Sequence, residues 1–202
     1  MSIFGPIVDG DLVETWVTNT LKLWWRTYAR EFEIQRGLTQ DALPDPRSWI
    51  VVEEVEREGV DQLPAVVIVS PGLNGDEPLQ HNDGNMMATW SVGLGVFVSA
   101  ATRPATKKLV RQYVGILRTI LLQKQSLGNK ANAVIWRDES YDDNFNFTDE
   151  LTISAGQAIF DVAVDAVANR FSGPVGLPNE DTQPGSEWHT AETVEVDVEK
   201  EG

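Results

Sequence analysis

The stretch WSVGLGVFVS, residues 90–99, carries an apolar side chain at every second position. The apolar members of this alternation are Trp90, Val92, Leu94, Val96 and Val98. Side chains of a β-strand point alternately to opposite faces, so the pattern predicts a strand with one face in a hydrophobic core. It is the strongest strand signal in the chain.

Two segments on either side of this strand have the period of an amphipathic helix. In residues 10–36 the apolar side chains recur at spacings of three and four, with Asp9 or Asp11 placed to cap the start and Gly37 to end it. Residues 103–127 repeat the pattern. Both segments are therefore predicted to be long helices.

Other β-rich runs complete the predicted fold. Short strands are expected at Trp49–Val55 and Ala65–Val69. We predict an α+β core domain, residues 1–172, in which the two helices pack on a mainly antiparallel sheet. The predicted sheet contains residues 88–99, 132–138 and 150–168.

The last of these strands changes phase along its length. Leu151 and Ile153 occupy odd positions, whereas Phe160 and Val162 occupy even ones. Keeping both sets on one face requires an extra residue, which predicts a β-bulge at Gly156. Two long loops are also expected, at residues 70–88 and 138–150.

Positive and negative charge are separated along the chain. Eight basic residues and no acid lie between Asn85 and Arg137, a local charge of +8. Since the 202-residue chain has a net charge of −15, the residues outside this window sum to −23. Such segregation favours contact with a charged partner or with other copies of the chain.

The acidic excess is greatest in residues 173–202. This segment contains eight acids and one lysine, and little in it can be buried, which is typical of disorder in isolation. Within it, Val194, Val196 and Val198 alternate with acids, a pattern that suits a strand added to a neighbouring sheet. A solvated tail and an arm docked on another chain both fit the sequence. We expect the arm, with residues 193–198 extended.

The sequence indicates no catalytic centre. There is no cysteine, and the two histidines, His81 and His189, lie far apart along the chain. No nucleophile, base or metal-ligand set stands at a recognisable spacing, so no enzyme, cofactor or metal site is expected. The longest apolar runs are too short to span a bilayer, and the first residues lack the pattern of a signal peptide. We expect a globular protein that is not exported.

The basic residues of the second predicted helix allow three interpretations. They could contact nucleic-acid phosphates, form an ordinary solvated helix face, or meet acids of another copy. A pI near 4.4 disfavours sequence-specific DNA binding. In the first helix, the adjacent Trp24 and Trp25 cannot both face one core, so one of them is a candidate for a subunit interface.

The order of these elements resembles the tail terminator, or tail completion, proteins of long-tailed bacteriophages. The likeness covers about residues 8–174 and rests on order and texture. Its components, after the long first helix, are the strand Leu63–Val69, the loop after it, the strand Trp90–Val98, the helix start at Thr102–Pro104 and the closing strands that end at Phe171–Pro174. The acidic segment 173–202 is not required by that family.

The resemblance implies a structural virion protein made in the host cytoplasm. Members of the family form hexameric rings at the head-proximal end of the tail tube, end its polymerisation and join it to the neck proteins. DNA would pass through the lumen without specific binding. The candidate subunit-interface residues are Lys107, Lys108, Arg111, Arg118, Trp25, Val194, Val196 and Val198. The candidate residues for contact with the tube or the neck protein are Asn74, Asp76, Glu77, His81, Asp83, Asp142 and Asp143.

Two other classes of protein remain open at this point. One is a different neck or minor tail connector, which would differ in copy number and neighbours. The other is an acidic regulator that binds a host protein and does not belong to the particle. The mass of the assembled protein distinguishes these classes.

Overall fold

The computed structural model describes residues 8–51, 62–74, 79–80, 85–142, 146–148 and 151–169. Two helices lie within these ranges, α1 (Gly10–Gln35) and α2 (Arg103–Gln123). The strands there are β1 (Ser48–Val51), β2 (Ala65–Leu73), β3 (Leu79–Gln80), β4 (Asn85–Ser99), β5 (Ala133–Asp142), β6 (Asn146–Thr148) and β7 (Leu151–Asn169).

Both helices begin where a side chain caps the first turn. The Asp9 carboxylate accepts a hydrogen bond from the amide of Leu12 at 2.9 Å, and the Thr102 hydroxyl accepts one from Ala105 at 3.4 Å. Pro104 fits the first turn of α2, because a helix leaves the amides of that turn unpaired. The caps explain why both predicted starts are correct.

The strands form a mixed sheet in the order β1-β2-β4-β7-β5. β1 pairs with β2 in parallel, and the other neighbours are antiparallel. The short strand β3 pairs with β4, and the short strand β6 pairs with β7. The predicted α+β class, with two helices on a mostly antiparallel sheet, is therefore confirmed.

The main core lies between the sheet and the two helices. Val92, Leu94 and Val96 of β4 are buried there, together with the even-numbered residues of β7 such as Phe160 and Val162. From the helices come the buried side chains Val13, Val17, Leu21, Trp25, Val110, Tyr113, Val114, Leu117 and Leu121. We call this side of the sheet the covered face.

The predicted bulge at Gly156 is wrong. β4 and β7 pair without a shift from Ala88↔Val164 to Ser99↔Ile153, so both sets of apolar residues keep the ordinary alternation. The even set lies on the covered face, and Ile153 joins Ala65, Val67 and Phe97 in a second cluster on the opposite face. The shift occurs instead in β5, between Trp136 and Asp138. The change from odd to even apolar positions therefore reflects a strand that has apolar side chains on both faces.

The two long loops are shorter than predicted. β2 continues to Leu73 through a register shift between Val69 and Gly72, which lets the strand accommodate Pro71. The Ser70 amide donates to the Glu14 carboxylate of α1 at 2.6 Å, so this part of β2 is tied to a helix. At the other position, β5 extends to Asp142. Turn-forming residues therefore misled the prediction at both strand ends.

The second face of the sheet, which we call the outer face, carries small residues at its centre. Ser91, Gly93 and Gly95 of β4 lie there, and a groove of about 380 Å³ runs over them, bordered by Val69 and Ile159. No helix of the described residues covers this face. Within the described residues, no second layer of secondary structure packs on the outer face.

Candidate subunit interface

α2 divides its residues between the core and the surface. Val110, Val114 and Leu117 are buried against the sheet, and the basic residues lie on other sides of the helix. Lys108 and Arg111 are exposed, while Lys107 and Arg118 are half-buried. The structure therefore brings together the four α2 cations that the sequence proposed for a subunit interface.

A groove of about 620 Å³ separates these cations from the end of α1. Phe32, Arg36 and Leu38 form one wall, and α2 forms the other. The α2 residues along it are Pro104, Lys107, Lys108, Arg111, Gln112, Gly115 and Arg118. Of the ten residues that line both walls, five are basic, namely Arg36 and the four α2 cations, and none is acidic. We therefore call this feature the basic groove.

Gly115 lies on the groove wall at mid-helix. A Cβ built at this residue meets no atom within 4 Å, so the groove is open above it. The neighbouring turns carry Arg111 and Arg118, which rise on either side of the gap. The surface is a recess with cationic edges, suited to an anionic segment that lies across the helix.

Two of the cations are held by β5. Arg118 binds the carboxylate of Glu139, and its guanidinium lies 4.8 Å from the centre of the Trp136 ring. Arg111 lies 5.4 Å from the ring centre of Tyr141. These contacts fix both side chains along the groove and place Arg111 over an uncharged ring.

Tyr141 stays protonated at neutral pH. Burial raises its pKa first, and the hydrogen bond and negative charge of Glu139 raise it further, to about 12. Its hydroxyl donates to Glu139, the same carboxylate that binds Arg118. The hydroxyl therefore acts as a hydrogen-bond donor that holds the carboxylate on which Arg118 rests.

The α1 wall depends on Glu33, which sequence reasoning missed. This carboxylate is fully buried and accepts from the amide of Leu43 at 3.0 Å and of Asp41 at 3.3 Å. Arg30 and Arg26 lie 3.4 and 3.8 Å from it. Burial raises the pKa of Glu33, but these donors and cations outweigh it, so the pKa lies below its ordinary value.

The Glu33 network anchors the connector after α1, residues 38–47. Arg26 also binds the carbonyl of Leu43 and the carboxylates of Asp41 and Asp45. The Tyr113 hydroxyl of α2 donates to the carbonyl of Pro44. The connector thus ties α1 to α2. Glu33 continues the four-residue series of buried positions Val13, Val17, Leu21, Trp25 and Ala29. The signal was missed because a carboxylate at a helix end is ordinarily solvated.

Trp25, one of the candidate interface residues, is buried in the core of the chain. It is 3% exposed, packs against Tyr113 with ring centres 4.8 Å apart, and donates its indole N–H to Asp45 at 3.0 Å. Trp24 takes the second face, where Lys124 lies 3.9 Å from its ring centre. The two adjacent tryptophans thus lie on different sides of α1, with Trp25 in the core and Trp24 partly buried at its edge.

The candidate tube and neck contacts are only partly described. Asn74 lies at the end of β2, where its amide donates to Thr89 at 2.7 Å and its side chain to Asp161 at 3.0 Å. Asp142 is exposed at the end of β5 and borders the outer-face groove. The remaining candidates lie outside the described residues, namely Asp76, Glu77, His81, Asp83 and Asp143, as do the arm residues Val194, Val196 and Val198.

The described part of the chain offers little to metal or membrane chemistry. It contains no group of three or more His, Asp or Glu residues placed to hold a metal ion. None of its helices has the length and apolar character needed to cross a bilayer.

Comparison with protein-family models and with curated proteins found no match.

Proposed function

We propose that this chain is a tail terminator: a structural subunit of a closed ring of six copies that caps the tail tube of a long-tailed bacteriophage and joins it to the neck. The observation that carries the proposal is the difference between the two sides of the molecule. The basic groove presents five cations, whereas the outer face has small residues at its centre and carries the exposed acids Asp138 and Asp142 of β5.

The charges follow the strand pairing. Asp138 and Asp142 lie opposite Ile159 and Ala155, whose odd-numbered positions belong to the outer face. Asp161 of the same face is buried and bound by Arg137. A ring built by one repeated head-to-tail contact needs two surfaces of different chemistry on each subunit. This chain has them on opposite sides of one rigid sheet.

The order of elements supports the same proposal. Two long helices on one side of a mostly antiparallel sheet agree with the α+β subunit that the sequence resemblance implies. A ring subunit needs contact surfaces and no catalytic group. The exposed cations and the outer face would supply the contacts with the next subunit, the tube and the neck protein around a DNA-filled lumen.

Particles of the encoding phage provide the test. A phage that lacks the chain should make tubes of uncontrolled length without heads, and the chain should restore normal particles when supplied from a plasmid. Electron microscopy of complete particles should show a ring of six copies at the head-proximal end of the tail. Tubes of normal length in the absence of the chain would refute tube termination and favour a neck connector. Absence of the chain from particles would favour a host-binding regulator.

The seam is tested with matched charge reversals. Arg111→Glu should abolish complementation, because it places a negative charge inside the basic groove. Lys22→Glu makes the same change on an exposed residue of α1 away from the groove, and should complement normally. Equal behaviour of the two variants would remove the groove from the seam.

A further inference from the structure

We infer that the basic groove binds the acidic segment, residues 180–201, of a neighbouring copy of the chain. The inference rests on the proposed ring, since it names the partner surface of one side of the subunit. It assigns a ligand to the groove and a place to a segment that the family resemblance does not require.

Charge complementarity is the first argument. The five groove cations, Arg36, Lys107, Lys108, Arg111 and Arg118, face no acid among the lining residues. Arg118 is already paired with Glu139. Lys108 and Arg111 are the exposed α2 cations of the groove, so the acids of the segment are expected to contact these two. The segment 180–201 contains eight acids and one lysine. The acidic excess of the chain is greatest in this segment, so its charge is the best complement to that of the groove.

The shape of the groove is the second argument. The gap above Gly115 gives room for a main chain, and Phe32 and Leu38 supply an apolar wall beside the cations. A segment in which valines alternate with acids presents both chemistries at once, because an extended chain points successive side chains to opposite sides. Val194, Val196 and Val198 would lie toward the apolar wall while Glu195 and Asp197 approach the arginines.

The choice of a neighbouring copy follows from the proposed ring, in which one repeated head-to-tail contact joins surfaces of different subunits. Val194 follows Asn169 by 25 residues, a reach of up to about 90 Å when fully extended. Chain length therefore allows the groove of the same chain as well as that of a neighbour, and the labelling experiment below distinguishes the two.

Zero-length cross-linking of the full chain tests the inference. A carbodiimide joins a lysine amine to a carboxylate that touches it, and the tryptic peptide 171–200 carries most of the acids in question. Equal amounts of ¹⁵N-labelled and unlabelled chain are mixed over a series of protein concentrations, and the linked peptides are identified by mass. We expect links between Lys108 and peptide 171–200 that join labelled to unlabelled chains and increase with concentration.

Two variants and a salt series make the result specific. Arg111→Glu should lower the yield of these links about tenfold and Lys22→Glu should leave it unchanged, and NaCl raised to about 0.5 M should suppress the links because the contact is electrostatic. Links of Lys130, an exposed lysine outside the groove, serve as the internal reference for chance contacts.

Three results would overturn the inference. Links confined to chains of the same label would place the segment on its own core. Absence of links above the Lys130 reference, or links that survive Arg111→Glu, would show that the groove does not hold the segment. A short duplex DNA that binds the full chain through Arg111 and removes the links would assign the groove to nucleic acid. A six-copy ring in particles without these links would leave the proposed function intact, whereas links without a ring would refute that function alone.

Discussion

The two faces of the sheet are built from the same strands but have opposite characters. On the covered face, β4 contributes Val92, Leu94 and Val96, all buried under the helices. On the outer face the same strand contributes Gly93 and Gly95, with an open groove above them. The covered face carries the main core, whereas the outer face has a smaller buried cluster around Phe97 beside an open groove. The difference shows how a short chain can be stable and still present a broad contact surface.

The largest expected difference between the faces comes from adjacent residues of β7. Phe160 is fully buried on the covered face, so Phe160→Ala should lower the free energy of unfolding by about 4 kcal/mol through lost contacts and a cavity. Ile159 is only half-buried on the outer face, and Ile159→Ala should cost about 1 kcal/mol. Urea denaturation measures both. Similar losses would mean that the outer face is as tightly packed as the core.

A second prediction concerns the buried carboxylate on the helix side. Glu33→Gln should lower the free energy of unfolding at pH 7 by about 3 kcal/mol, because the amides and arginines lose a charged acceptor. The exposed Glu31, which accepts from Gln35 at 2.8 Å, is the matched control, and Glu31→Gln should cost less than about 0.5 kcal/mol.

The pH dependence of Glu33 has a definite sign. Its folded pKa lies below the ordinary value of 4.5, so its contribution is complete above that pH and is lost as the pH falls through the folded pKa. The stability gap between the natural chain and Glu33→Gln should therefore be constant from pH 7 to about 5 and close at lower pH. A gap that widened in acid would contradict the direction of the shift.

Two glycines sharpen the comparison between faces. A Cβ at Gly156 would lie 2.8 Å from Val114 and 2.9 Å from Val110, so Gly156→Ala should cost about 2 kcal/mol by overpacking the covered face. A Cβ at Gly93 meets its nearest atom at 3.7 Å, an ordinary contact. Gly93→Ala should change stability by less than about 0.5 kcal/mol, and thermal unfolding of the two variants measures the contrast.

The smallest expected effect is a gain. Gly115 lies inside α2 with open space around the position of a Cβ, so Gly115→Ala should raise the free energy of unfolding by about 0.5 to 1 kcal/mol. An alanine is too small to fill the basic groove, so cross-linking of the neighbouring segment should persist. A lower melting temperature would indicate that the helix needs glycine at this residue.

The long, strongly periodic elements could be predicted from sequence. β4, β7 and both helices follow from the repeat of apolar residues, because burial of one face is what the repeat encodes. The predicted boundaries differ from the observed ones mainly where strands run on into polar residues. β5 reaches Asp142 since pairing with Ala155 of β7 supplies hydrogen bonds that local sequence does not reveal.

The features that escaped prediction depend on partners distant in sequence. Gly156 looked like a bulge because a single strand does not show which face a helix covers, and here the reason for glycine is the close approach of Val110 and Val114. Glu33 and Trp25 are buried by the connector at residues 41–45. The candidate cations of α2 were predictable as a helical cluster, but the groove also needs Arg36 and Phe32 from the other helix.

The position of β7 between β4 and β5 also sets an order in which the sheet can close during folding. The β5–β7 pair joins residues as near in sequence as Asp142 and Ala155, whereas the nearest pair of β4 and β7 is Ser99 and Ile153, a loop about four times longer. Closing the longer loop costs about 1 kcal/mol more in chain entropy. A chain that has formed only the β5–β7 hairpin leaves the backbone N–H and C=O groups along the other edge of β7 unpaired, and β4 of a second chain can pair with them. Refolding yield should therefore fall as protein concentration rises, with exchanged dimers as the trapped product.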